Sequence, residues 1–446
     1  MTQIILILTG YFLLMTGIGI FSFFRIKGLP DYYISGKRGS LGQVSGSLFA
    51  TIMGGSAILG TIELSQKAGW AAFWFLFSAA LGLIVLAFLA GKVSRLGHYT
   101  LPEMIKLFYG EKAERTASLM IPLAWLGIIA AQIIAGAKIV TGLGLMSYTP
   151  GALLCGTAFI LYTLLGGQKS ILKTDFLQAL IILAGIFTMV VLRLRNMENL
   201  EIPPLHPAAL FNENFTFADL FFLLITYSVT FVVGPDIYTR IFCARDERVA
   251  RRSVLLTALL VVPVALALTF LGITAAASAG AETGNFILPG SSFLPPWALG
   301  LLAAALLSAV MSSADTTLLT SSVILTELTT GDLEKKGSLK LTRLFILLLG
   351  VAAMVVALKV TSILSALLFA LSFFSGAFIL PVVAGLAGWK VNSHRAFAAM
   401  IAGGTIALAG KIISESWPGY GGQLIILTAF ITNAALLLTP RQLNKK

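Results

Sequence analysis

Ala309-Val310-Met311-Ser312-Ser313-Ala314-Asp315-Thr316-Thr317 sits in the middle of an apolar run from about Pro296 to Leu328. A run of that length and composition reads as a membrane span. Within lipid every polar group must find a partner inside the protein, and an intramembrane ionisable residue reads as functional. Here two hydroxyls, one carboxylate and two more hydroxyls fall within six positions. Ser312, Asp315 and Thr316 share one helix face at i, i+3 and i+4, and Ser313, Thr316 and Thr317 share the adjoining one. Such a face offers hard oxygen ligands and nothing soft, which suits a hard cation. We therefore expect this helix to hold a sodium ion. The plainer alternative is that the hydroxyls bond back to their own helix carbonyls. That alternative leaves the mid-span carboxylate in need of a partner.

Composition sets the class. Of 446 residues 57% are hydrophobic and 11% charged, with mean hydropathy +0.93, whereas a soluble protein carries roughly 25% charged residues. The chain reads as an all-α polytopic membrane protein lying in a lipid bilayer. Its net charge of +12 does not indicate nucleic acid, because the basic residues are dispersed at span ends without a basic stripe. Cys155 and Cys243 both lie in or beside apolar stretches and give neither a disulfide framework nor a metal pattern. The first apolar run lacks a charged leader and a small-residue cleavage site, so it reads as a retained span.

At roughly 20 apolar residues per span, about thirteen spans run from Gln3–Phe24 to Gly421–Leu438. Loop charge tests the count. Arg25, Lys27, Lys37 and Arg38 follow the first span; Lys92, Arg95, Lys106, Lys112 and Arg115 the third; Lys169 and Lys173 the fifth. Arg240, Arg245, Arg248, Arg251 and Arg252 follow the seventh; Lys335, Lys336, Lys340 and Arg343 the ninth; Lys390 and Arg395 the eleventh. Arg441, Lys445 and Lys446 follow the last. About 25 of the 31 Lys and Arg thus fall on one side, which is the cytoplasmic side by the positive-inside rule. The N-terminus is expected outside and the C-terminus inside, in the cell membrane. An odd number of spans satisfies both.

Four spans carry further signals. The second, Leu41–Leu64, is interrupted at Ser45-Gly46-Ser47 and at Ile52-Met53-Gly54-Gly55-Ser56. Paired glycines at mid-membrane depth let a helix backbone open, as transporters do to bind ions and substrates, or let helices pack closely. Asp175 enters the sixth span, Ile171–Leu192, as a helix cap or as a partner of the Ser/Asp helix. Gly234-Pro235 breaks the exit of the seventh, Ala218–Val233, where Asp236 and Arg240 are expected to pair and hold a structural or gating turn. The eleventh, Ile363–Ala387, carries Ser372-Phe373-Phe374-Ser375-Gly376 at its centre, as packing or as the wall of a ligand site. His98, His206 and His394 fall in loops or at span edges without a partner at ligand spacing, and none is given a catalytic role. The Pro-rich loop from Asn196 to Thr216 is the longest expected outside segment.

Several stretches together resemble the sodium:solute symporter family, which includes proline, pantothenate, sugar and choline carriers. Gly166-Gly167 through Thr174-Asp175-Phe176-Leu177-Gln178 is similar to its GG…A…TD..Q signature. Asp31-Tyr32-Tyr33-Ile34-Ser35-Gly36-Lys37-Arg38 resembles the segment before its first core helix. Gly234-Pro235 through Arg240 with Ala250-Arg251-Arg252 resembles its seventh-span exit, and Ala309–Ser313 its sodium helix. The resemblance implies a LeuT-like fold of two inverted five-helix repeats, about 41–192 and 218–387. One helix (3–24) precedes them and two (396–413 and 421–438) follow. It implies sodium as the coupling ion, held by the carbonyls of Ile52, Gly55 and Ala309 and the hydroxyls of Ser312 and Ser313. A second cation or proton site would draw on Asp175, Ser312, Asp315 and Thr316.

The resemblance is thinner at the substrate. Gly54, Ser56, Ile58 and Leu59 stand where sugar carriers have acidic and amide side chains, and Gly54 where proline carriers have an acid. Tyr227 falls where proline carriers place a lining aromatic. Half-helix N-termini at a broken span favour anions, so a small carboxylate-bearing solute is expected, such as an amino acid or monocarboxylate. It would bind near Gly54, Ser56, Gln132, Tyr227, Ser372 and Ser375. Sodium-coupled symport by alternating access follows, with no enzyme activity and no obligate protein partner evident. The alternatives are a proton-coupled symporter of the same fold and a symporter-like membrane sensor.

Overall fold

Long apolar helices dominate because a chain in lipid must satisfy its backbone internally. The computed structural model describes residues 2–24, 28–97, 99–197, 202–279, 294–416 and 421–438. Arg25, Lys27, His98, Arg441, Lys445, Lys446 and part of the 196–216 loop lie outside the described residues. The helices are α1 (Thr2–Phe23), α2 (Leu29–Ile34), α3 (Leu41–Ile52), α4 (Gly55–Ala68), α5 (Phe73–Leu96), α6 (Leu101–Tyr109), α7 (Glu111–Gly142), α8 (Tyr148–Leu165) and α9 (Gln168–Arg195). They continue as α10 (Phe217–Leu223), α11 (Val229–Val233), α12 (Pro235–Cys243), α13 (Glu247–Ala279), α14 (Pro296–Thr330), α15 (Ser338–Lys359), α16 (Ile363–Leu386), α17 (Ser393–Ser416) and α18 (Gly421–Leu438). A π-helical turn, Leu224–Ser228, joins α10 to α11.

Twelve helical segments among the described residues are long and apolar enough to cross a membrane. One of them, Gly55–Leu96, has 42 residues, about 63 Å at 1.5 Å per residue, twice the hydrocarbon thickness. It turns at Gly69, where φ is +57°. Its first part, α4, continues the pass begun by α3, and α5 makes the next. Counted so, the passes number thirteen, as the sequence suggests. The halves of the broken pass, α3 and α4, have 12 and 14 residues, each too short to cross alone.

Burial sorts the bundle. Apolar windows of α7 and α14 are each 78% buried, and that of α16 is 72%. Those of α1, α15 and α18 are 22–28% buried, so these three stand at the edge. Outer faces present leucine and phenylalanine such as Leu6, Phe88 and Phe187, as lipid contact requires. Inner seams rely on small residues. Gly376 of α16 meets Gly403 of α17, and Asn433 of α18 donates to the Gly376 carbonyl at 2.8 Å.

The Ser45-Gly46-Ser47 signal is corrected. α3 runs through it without a break, capped by Ser40 and Gln43. Gly46 serves close packing instead: a Cβ there would meet Phe176 of α9 at 2.8 Å, and its backbone Cα at 3.0 Å. Gly46→Leu should therefore force α3 from α9, at about 1–3 kcal/mol for overpacking. A thermal unfolding scan of the purified protein should show a lower midpoint. Gly10→Leu, on exposed α1 with no atom within 4 Å, should leave the midpoint unchanged.

Candidate functional site

The second sequence signal is a true break. Met53 (φ −78°, ψ 39°) and Gly54 (φ −59°, ψ 161°) leave the helical region between α3 and α4. α14 crosses the gap. Ser313 Oγ donates to the Thr51 carbonyl at 2.8 Å, one of the acceptors freed where α3 ends. Neither glycine tolerates a side chain. A Cβ on Gly54 would lie 2.4 Å from Ser313 Oγ, and one on Gly55 would lie 2.2 Å from Val310 Cγ2. Ile52 ends α3, Gly55 begins α4, and Ala309 is fully buried beside Val310 on α14. All five residues of the expected sodium set therefore belong to the two elements that meet here.

One position round α14, the other hydroxyl face meets charge. Ser312 Oγ donates to Asp175 Oδ1 at 2.6 Å. Arg240 reaches in from α12: its Nη2 lies 3.1 Å from Asp175 Oδ2, its Nε donates to Ser47 Oγ at 3.0 Å, and Nη2 also bonds Thr316 Oγ1. Ser47 Oγ in turn bonds Asp175 Oδ2. Asp315 lies in the field of Asp175 and Arg240, with its Oδ1 3.4 Å from Thr316 Oγ1. Asp175 and Arg240 are fully buried and Asp315 is 1% exposed. The group thus holds two carboxylates against one guanidinium.

Two expectations change here. Asp175 is not a cap, because α9 starts at Gln168 and the carboxylate lies two turns inside it. Arg240 makes its ion pair with Asp175 and not with Asp236; the i, i+4 spacing on one short helix suggested the nearer acid. Gly234 and Pro235 do break the chain, with Gly234 extended (φ −60°, ψ 129°) and Pro235 opening α12.

A cavity of about 60 Å³ opens beside the break. Its walls include Thr51, Ile52, Gly54, Ser56, Gln132, Tyr227, Asp236, Ser313 and Thr317, with Trp125, Phe231, Leu367 and Leu371. Gln132 Nε2 donates to Ser56 Oγ at 2.8 Å. Tyr227 lies in the π-helical turn and stacks on Phe75 at 4.4 Å. Ser372 and Ser375 are not brought to this cavity. Ser375 bonds the carbonyl of Ser372 at 3.1 Å, and α16 lines the cavity with Leu367 and, directly before Ser372, Leu371. Sequence reasoning missed Ser47, Thr51 and Trp125, and of these only Ser47 carried a signal, as a polar residue beside Gly46; Thr317 was grouped with Ser313 on one helix face but not assigned to the cavity it lines.

Two tethers fix the ends. On one side of the bundle, Trp70 Nε1 donates to the Pro203 carbonyl at 2.8 Å and Trp74 Nε1 to that of Leu210 at 3.1 Å. These bonds lay the described part of the long loop over the α4–α5 turn. On the side reached by the C-terminal end of α14, Glu327 bonds Thr100, and Tyr99 donates to Glu334 at 2.6 Å. Burial, then the Glu334 contact, pushes the Tyr99 phenol up. Lys169 meets Asp31 at 2.5 Å, holding α2 against the start of α9.

A helix opened at mid-depth, crossed by a hydroxyl-bearing helix beside a small cavity, defines a membrane transporter. The profile of the sodium:solute symporter family matches residues 32–403, and the chain belongs to that family. It is a multi-pass membrane protein, a secondary transporter and not an enzyme, and sodium is its coupling ion. It is 24% identical to the sodium/pantothenate symporter of Escherichia coli (strain K12), covering 96% of this chain and 95% of that one. It is 28% identical to the sodium/proline symporter of Haemophilus influenzae, covering 90% and 87%. Among solved structures, a substrate-bound, outward-open sodium-coupled sialic acid symporter superposes with TM-score 0.78 at 17% identity, covering 98% of each chain. Mhp1, a nucleobase-cation-symport-1 family transporter, gives 0.63 at 14%, covering 91% and 92%. The LeuT-like fold expected from the sequence is therefore the fold of the protein.

The charged network should behave as a unit. Arg240→Met strands a buried carboxylate, at about 3–5 kcal/mol, and should lower the unfolding midpoint markedly. Adding Asp175→Asn should restore part of that loss. A double-mutant cycle should give a coupling of at least about 1 kcal/mol, and an additive cycle would contradict the pairing.

Proposed function

We propose that the protein imports a small carboxylate-bearing solute together with sodium, by alternating access in the cell membrane. The observation that carries this reading is the crossing of α14 over the break, with Ser313 on the Thr51 carbonyl at 2.8 Å. At such a seam a monovalent cation can take oxygens from both elements: carbonyls of Ile52, Gly55 and Ala309, and hydroxyls of Ser312 and Ser313. The bound ion would fix the break against α14 and complete the cavity beside it. The first amides of α4 lack intrahelical partners and carry the positive end of its dipole, which supports a carboxylate near Gly54 and Ser56. We assign the two repeats to about 41–192 and 218–387, with the N-terminus outside and the C-terminus in the cytoplasm.

We read the second cation position differently from the first. Asp175 and Thr316, two of its expected ligands, both bond Arg240. A guanidinium is permanently charged and supplies there the positive charge that a second ion would bring. One sodium per solute follows. An inward membrane potential then assists uptake, by about 2.3 kcal/mol per 100 mV for each charge moved.

Reconstituted protein should take up its solute under a sodium gradient, and not under a proton gradient alone. Ser312→Ala with Ser313→Ala should abolish the sodium stimulation while the unfolding profile stays cooperative. Unchanged sodium dependence in that double variant would remove the proposed ion site, and uptake driven by protons alone would favour the proton-coupled alternative through Asp315.

A further inference from the structure

The polar inventory of the cavity goes beyond a carboxylate site. Asp236 sits in its wall, and among the described residues no Lys, Arg or His does. Arg240, one turn along α12, is committed to Asp175. The backbone amides that hydrogen-bond Asp236, its own and that of Ile237, belong to the start of α12. They lie in the first turn of the helix, where an acidic side chain suits the dipole, and leave carboxylate lone pairs unused. A solute bearing only a negative charge would be set beside an acidic side chain with no basic one in the wall to meet it.

Three other wall residues carry buried polar atoms without a partner: Thr51 Oγ1, Trp125 Nε1 and Gln132 Oε1. These side chains belong to residues 8%, 1% and 2% exposed. Leaving such groups unpaired is costly, so a resident molecule that pairs them gains what they lack. The Trp125 indole can only donate, the Gln132 oxygen can only accept, and the Thr51 hydroxyl can do either. The site therefore asks for an acceptor and for an N–H donor in one small molecule. The Asp236 carboxylate asks that the donor be positively charged.

Resting on the sodium-coupled reading above, we infer that the solute is a zwitterion, a small amino acid with a primary or secondary ammonium. The ammonium faces Asp236 and the Gln132 carbonyl oxygen, and the carboxylate faces the α4 N-terminus and the Trp125 indole. Asp236 is then the residue that sets specificity. A quaternary nitrogen would satisfy the charge but leave Gln132 Oε1 without a donor. A deamino acid would leave both acceptors unmet.

The test uses full-length protein in proteoliposomes and a tracer panel of the small L-amino acids, their deamino acids and their N-trimethyl derivatives. Sodium-dependent uptake should be confined to one or more of the amino acids. Asp236→Asn keeps a side-chain oxygen that can accept from the first-turn amides while removing the charge, and should weaken the apparent affinity for the accepted amino acid at least about tenfold. Gln132→Met should weaken it in the same direction. Sodium-dependent uptake of the deamino acids, or Asp236→Asn without effect, would overturn the inference while sodium coupling stands. Transport of no amino acid would overturn it too. In that case, the shift of the unfolding midpoint by sodium alone, and its loss in the Ser312→Ala, Ser313→Ala protein, reports separately on the ion site.

Discussion

The buried pair of Arg240 and Asp175 is the constraint on which the rest of the arrangement depends. It joins α12 to α9, and through Ser47, Ser312 and Thr316 it reaches α3 and α14. Four elements distant in sequence are thereby held at one point in a medium where no water can substitute. Such a pair adds little net stability over a well-packed apolar alternative, because both ions must first lose their hydration. Its effect is on specificity: a shift of any one helix strands a charge. The network thus fixes the rotation of α14 about its own axis. That rotation decides which hydroxyls meet the break.

The break follows from the same logic at a smaller scale. α14 can approach the opened segment only because Gly54 and Gly55 have no side chains to collide with Ser313 and Val310. Close approach puts the Ser313 hydroxyl within bonding distance of a carbonyl that the interrupted helix cannot satisfy. The glycines therefore do two things: they weaken the helix enough to open, and they admit the neighbour that occupies the opening. Tyr227 on its π-helical turn and the Gly234-Pro235 break add two more irregular points around the cavity. Irregular backbone is tolerated at membrane depth where it lines such a space.

How far the sequence reads into this depends on what each signal encodes. Span number and the opening at Gly54-Gly55 were legible because hydropathy and paired glycines act locally. The Ser312/Ser313 helix was legible because polar groups inside a span are rare. Gly46 was misread, since whether a glycine opens a helix or admits a neighbour depends on Phe176, 130 positions away. Arg240 was matched to Asp236 because i, i+4 spacing is visible in a string, whereas its contact with Asp175 exists only in the folded bundle. Ser372 directly follows the wall residue Leu371 and Ser375 lies one turn beyond it, so both miss the cavity by helix rotation and depth that spacing leaves open. The same gap hid Thr51 and Trp125.

These observations make α14 a partition. Residues 312, 315 and 316 turn toward the ion-pair network, and residues 313 and 317 toward the break and the cavity. The first face is bound by charge and is costly to move. The second is held at the break by a neutral hydrogen bond, whose net worth is about 1 kcal/mol, so it can be exchanged for an ion without disturbing the first. Ser312 and Ser313 stand on either side of that boundary. An ion that drew on both would feel the fixed network through one hydroxyl and the movable break through the other. Its binding energy would then bias the equilibrium between conformations in which the break is open and closed. A ligand shifts such an equilibrium only by its differential affinity for the two states. In our reading the seam at 312–313 is where that difference arises, and the solute cavity beside Ser313 shares it.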